Sequence, residues 1–134
     1  MISSRGAVRR LRGDARDPQE LGPLRVLRTD PADGESGVWR DIAVVAWISA
    51  PIDPATVGRG SLVVEASEGS VDGELSLSPD GLVVLWRPLE PLAARVRHRV
   101  TVRELCDRRG RALEPYETDF WPCDLTHLEV LKPG

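Results

Sequence analysis

A chain of 134 residues is long enough to bury one hydrophobic core and too short for two comfortable ones, so one domain with a tail is expected. Its formal charge of -3 excludes the strongly basic balance of a dedicated nucleic-acid binder, and no apolar run is long enough to span a membrane. Lys132 is the single lysine, and asparagine is absent, which removes N-glycosylation.

Met1 to Pro23 is polar, holds five arginines against Asp14, Asp17 and Glu20, and shows no hydrophobic periodicity. It is expected to be a flexible Arg-rich tail over residues 1–23. Arg9, Arg10 and Arg12 break up every apolar stretch there, so the segment does not read as a signal peptide. Arg12, Gly13 and Asp14 spell RGD, a tripeptide expected by chance in so Arg- and Asp-rich a setting.

Leu24 to Leu27 predicts a short strand, and Thr29 to Gly34 a dense turn. Ile42 to Ile48 carries no charge and no turn former, which predicts a central strand beginning near Trp39 and stopped by Pro51 and Pro54. Further strands are predicted at Ser61 to Ala66, Gly73 to Leu77, Gly81 to Trp86, Val96 to Leu105 and Tyr116 to Trp121. The breaks between them fall at Glu68 to Ser70, Pro79 to Gly81, Pro88 to Pro91 and Asp107 to Gly110. Ala55 to Gly58 and Leu89 to Ala94 each have room for one helical turn. About seven short strands at this spacing predict an all-β, Ig-like antiparallel sandwich over residues 24–124, followed by a C-terminal extension, 125–134.

The clearest alternation places Val96, His98, Val100 and Val102 on the core side of their strand and Arg95, Arg97, Arg99 and Arg103 outside. Tyr116, Thr118 and Phe120 alternate likewise with Glu117, Asp119 and Trp121. Pairing of the two strands would bring the acids beside the arginines. Cys106 and Cys123 fall far out of register across such a hairpin and are expected to be unpaired thiols.

Catalytic equipment is sparse. His98 is expected inside the core as a satisfied histidine, and His127 has no Cys or carboxylate at metal spacing. No phosphate loop follows Gly58 and Gly60, because GK[ST] is missing. Asp30, Asp33 and Glu35, with Asp53 and Asp107, are the carboxylates to weigh for calcium, but turn formation explains the first two equally well. No cofactor is expected, and the chain does not read as an enzyme.

The order of these segments resembles the bacterial Ig-like domains of the SbsA type, the Big_5 family. The residues that carry the resemblance are DPADGESGV (Asp30 to Val38), IAVVAWISAPIDPATV (Ile42 to Val57), LVVLWRPLEPLA (Leu82 to Ala93), HRVTVRELCDRRGRAL (His98 to Leu113) and YETDF (Tyr116 to Phe120). His98 stands where the family usually has Tyr, and Trp47 where it often has Phe. The resemblance implies a noncatalytic structural or protein-interaction module at the bacterial cell surface or envelope.

It also implies that Val45 and Trp47 face inward. Val44, Ala46 and Ile48 would then face outward beside Val83 and Leu85, forming an apolar patch for a protein partner or self-association. The alternative is a carbohydrate- or polyanion-binding face built from Arg95, Arg97, Arg99, Arg103 and Trp121.

Overall fold

The computed structural model describes residues 23–128; the tail with its RGD and the last six residues of the extension lie outside them. Nine strands are described: β1 (Val26–Asp30), β2 (Glu35–Val38), β3 (Val44–Ile48), β4 (Leu62–Ala66), β5 (Gly69–Ser70), β6 (Gly73–Leu77), β7 (Val83–Pro88), β8 (His98–Val102) and β9 (Tyr116–Pro122). They form a five-stranded sheet in the order β2-β9-β8-β4-β5 and a four-stranded sheet in the order β1-β3-β7-β6. This is the Ig-like sandwich that the spacing of breaks predicts.

The differences from the expected strands are local and have physical causes. The Thr29 to Gly34 stretch is not all turn, because β1 runs on to Asp30 before the chain changes sheet. Glu35–Val38 then joins the other sheet parallel to β9, with Phe120 opposite Glu35, so one pairing departs from the expected antiparallel set. Side-chain pattern could not reveal β2, since its ESGV sequence buries only Val38 and its pairing is a backbone matter. Gly69–Ser70, expected as a break, makes a two-residue strand against Glu65 and Ala66. The helical turn near Ala55 exists as a 3-10 turn over Pro54–Thr56, capped by Asp53, which accepts the Ala55 amide. Leu89 to Ala94 forms no helix.

Both sheets bury one face, and the alternation of β8 and β9 explains how. His98, Val100, Val102, Thr118 and Phe120 point inward, while Arg99 and Asp119 stay on the outer side. From the four-stranded sheet come Val26, Val44, Ala46, Ile48, Val84 and Trp86, and Ile52, Leu92, Leu105 and Leu113 close the ends. Burial on this scale contributes about 1.5–3 kcal/mol for each large side chain and is the main stabilising term.

The expectation for β3 is corrected here. Val44, Ala46 and Ile48 are buried at 0%, 0% and 2% exposure and belong to the core, while Val45 and Trp47 lie on the outer face. An apolar residue at every position from Ile42 to Ile48 carries no period-2 signal, so either parity satisfies the pattern. Cross-strand bulk decides it. Val44 lies opposite Trp86 and Ala46 opposite Val84, so the inner layer already holds one indole. Small residues on β3 complete it.

Trp86 also explains Gly73, which lies one strand away: a Cβ there would overlap the indole ring. Gly73→Ala is therefore expected to destabilise the fold by about 1–3 kcal/mol through overpacking. That outweighs the ~0.4–1 kcal/mol a Gly→Ala change can gain through the unfolded chain. Urea denaturation followed by tryptophan emission measures it, and an unchanged midpoint would contradict this packing.

Candidate functional site

The outer face of the four-stranded sheet is the first candidate. On its central strands β3 and β7, Val45 lies directly opposite Leu85 and Trp47 opposite Val83. All four are partly exposed. Val83 and Leu85 face outward as expected; Val45 and Trp47 replace Val44, Ala46 and Ile48 as their neighbours. The Arg28 guanidinium lies 3.9 Å from the Trp47 ring centroid and covers one side of it. Such a cation-π contact at an exposed site contributes about 0.5–1 kcal/mol, enough to orient the indole without sealing the patch. The patch was missed at Val45 and Trp47 because only cross-strand bulk, and not the β3 sequence, fixes which side they take.

The second candidate is the outer face of the five-stranded sheet. The structure does bring Arg97, Arg99 and Trp121 to that side, but it surrounds the positive charge with acids. Arg99 Nε donates to Asp119 Oδ1 at 3.1 Å, and its guanidinium lies 3.6 Å from Glu117. The Asp119 hydrogen bond and charge hold the Arg99 pKa above its ordinary value. Arg95 pairs with Asp124 in the turn before β8, and Arg103 Nε donates to the Gly60 carbonyl beyond its other end. The stripe is thus spread along the strand and largely neutralised, a solvated salt-bridge surface.

The carboxylates weighed for calcium serve the loops instead. Asp33 accepts the Thr118 hydroxyl at 2.9 Å and the Asp119 amide at 3.0 Å, and these bonds, the amide first, lower its pKa. Glu35 accepts the Ala32 amide. Burial pushes Asp107 upward, but the amides of Arg111 and Arg109 and the Arg111 guanidinium outweigh it and leave its pKa below the usual value. No three of the described His, Cys, Asp and Glu residues come together in a way that would hold a metal ion. Both cysteines are free, as the register argument expects.

His98 is buried but only half satisfied, which corrects the expectation. Its Nδ1 lies 2.8 Å from the Val96 carbonyl, which only accepts, so Nδ1 carries the proton. Among the described residues Nε2 has no hydrogen-bond partner. The ring stacks on Phe120 with centroids 5.3 Å apart, filling the place where the resembling family has an aromatic ring.

The family model for the bacterial Ig-like domain, Big_5, matches residues 21–121. No curated protein sequence matches the chain significantly. Among solved structures, domains 1–6 of the surface layer protein SbsC superpose with a TM-score of 0.60 at 16% identity, covering 78% of this chain and 14% of that one. The methionine-rich copper resistance protein PcoC from Escherichia coli gives a TM-score of 0.62 at 15% identity, covering 75% and 99%. An L,D-transpeptidase from Mycobacterium smegmatis gives 0.55 at 20% identity, covering 75% and 40%. At these identities the likeness is one of fold. The chain spans about a seventh of the S-layer protein it resembles.

The half-satisfied His98 makes stability depend on pH. Burial lowers its folded pKa below the ordinary 6.5. The unfolded chain therefore binds a proton first, so stability is full above about pH 6.5 and falls as the pH drops toward the folded pKa. Urea midpoints between pH 7.5 and 5 are expected to decline, by at most about 1.4 kcal/mol per pH unit. The decline should flatten in His98→Phe, which keeps the stack on Phe120; an equal slope in that variant would assign it to other groups.

Proposed function

The chain belongs to the bacterial Ig-like domain family Big_5, and from that premise we propose that it is a noncatalytic interaction module, an accessory part of a larger bacterial surface or envelope assembly. It docks on a protein partner through the outer face of its four-stranded sheet. One observation carries this reading: Val45, Trp47, Val83 and Leu85 form two adjacent cross-strand pairs on the two central strands of that sheet. Apolar groups clustered at the middle of a sheet, away from its edges, are what a protein interface buries. Trp47 with Arg28 on its rim has the make-up of an anchor, aromatic in the centre and cationic beside it. The partner that fits is apolar at its middle with an acidic group to meet Arg28.

The surface layer protein SbsC contains domains of this fold, and the transpeptidase carries one in a longer chain. No helix among the described residues is long and apolar enough to cross a membrane.

Val83→Asp and Leu85→Asp place charge on this face without entering the core. Each is expected to release the chain from its assembly while leaving its unfolding midpoint within ~0.5 kcal/mol of the parent. The native mass of the particle carrying the chain, measured after gentle lysis of source cells, reads the first effect. Release of a free chain of 14.7 kDa supports the proposal. Both variants staying in the large particle would refute it.

A further inference from the structure

The four-stranded sheet has two edges, β1 and β6, and the five-stranded sheet has β2 and β5. Three of the four are poorly suited to receive another strand. β1 carries a register shift between Val26 and Arg28, β2 is four residues long and irregular at Trp121 and Pro122 of its neighbour, and β5 has two residues. β6 has five residues in unbroken register with β7, from Gly73 opposite Pro88 to Leu77 opposite Val84. It contains no proline, lysine or bulge, the usual means of blocking an edge.

The direction of its free backbone groups follows from the ladder. Leu89 donates to the Asp72 carbonyl at 3.1 Å and Ser78 to the Val83 carbonyl at 2.9 Å, so the even-numbered residues of this strand turn their backbone groups toward β7. Antiparallel pairing alternates, so Gly73, Leu75 and Leu77 turn their N–H and C=O groups outward, away from the sheet. Beside them runs a groove of about 830 Å3 lined by Val57, Val71, Leu75, Trp86 and Leu89. It exists because β5 stops after Ser70 and, among the described residues, no strand continues alongside the start of β4.

We infer that β6 is a self-association edge: a second copy of this chain pairs its own β6 antiparallel to the first across a two-fold axis at Leu75. The sequence selects this register. Centred on Leu75, it sets Leu75 against Leu75 of the second copy and Gly73 against Leu77, and each of these pairs exchanges two backbone hydrogen bonds. On the outer side Glu74 falls opposite Ser76 of the second copy, so no like charges meet. Centring on Glu74 would oppose two carboxylates, and centring on Ser76 would bring Gly73 against Pro79, which has no N–H.

The inner side also matches. Leu77 of the second copy, opposite Gly73, lies against the Trp86 indole, which fills the space a side chain at position 73 would take, and the two Leu75 side chains meet at the rim of the groove. The result is a closed, isologous dimer with one continuous eight-stranded sheet. It goes beyond the outer-face docking proposed above and is independent of it, since it uses the edge of the sheet and not its face.

Ser76 gives a two-signed test, because its side chain is exposed and faces out beside Leu85. In sedimentation velocity of the full chain, Ser76→Glu sets a carboxylate opposite Glu74 twice per dimer and is expected to raise the dimer Kd roughly two- to thirtyfold. Ser76→Lys sets an ammonium there and is expected to lower it by a similar factor. Slowed deuterium exchange at the amides of Gly73, Leu75 and Leu77, growing with protein concentration, locates the contact. A chain that stays monomeric up to about 1 mM overturns the inference. So does a dimer indifferent to both substitutions, which would lie on another surface. Concentration-independent protection at these amides would assign the edge to a segment of the same chain, and that too would overturn it.

Discussion

The inward packing of β3 against β7 is the constraint on which the rest of the structure depends. Val44 against Trp86 and Ala46 against Val84 set the thickness of the inner layer in the four-stranded sheet. Once Trp86 occupies that layer, Gly73 has to be without a side chain, Phe120 and His98 fill the facing sheet, and Val45 and Trp47 are left outside. Both surfaces proposed for binding follow from this choice. The outer patch is the other face of β3 and β7, and the groove beside β6 is floored by the same Trp86.

The ends of the sandwich are held by a different kind of interaction. Backbone groups in loops lack ladder partners, and short polar side chains supply them. Asp107 gathers two amides and a guanidinium in the turn after β8, Asp53 caps the 3-10 turn, and Asp33 ties the β1–β2 connection to β9. Acids that stand close in sequence to other acids thus invite a metal-site reading, but Asp53 and Asp107 are occupied by donors from their own loops and Asp33 by donors from β9. The start of the C-terminal extension is tied in the same manner, with the Arg40 amide donating to the Leu125 carbonyl and the His127 amide to Asp41.

Family membership and fold leave function to surfaces. An Ig-like sandwich is a scaffold on which faces, edges and loops are free to vary, so function is argued from what this chain places there. It places apolar pairs on one face, a neutralised charge lattice on the other, and a regular open edge between them. The first and last of these are features that a solitary soluble domain usually avoids.

The amino-acid sequence by itself determined the strand-rich class, most strand positions, the inward parity of β8 and β9, the pairing of acids with arginines, and the family. In each case the information was local: alternation of charged with apolar residues admits one parity, and Pro, Gly and Asp clusters mark where strands end. Only the tertiary structure decided which way β3 faces, that Glu35–Val38 pairs parallel to β9, and that among the described residues His98 lacks a partner at Nε2 and β6 is an edge strand. These depend on residues far apart in the chain. An all-apolar strand has no preferred side until a neighbour's bulk assigns one, and an edge exists only once the order of strands in the sheet is settled.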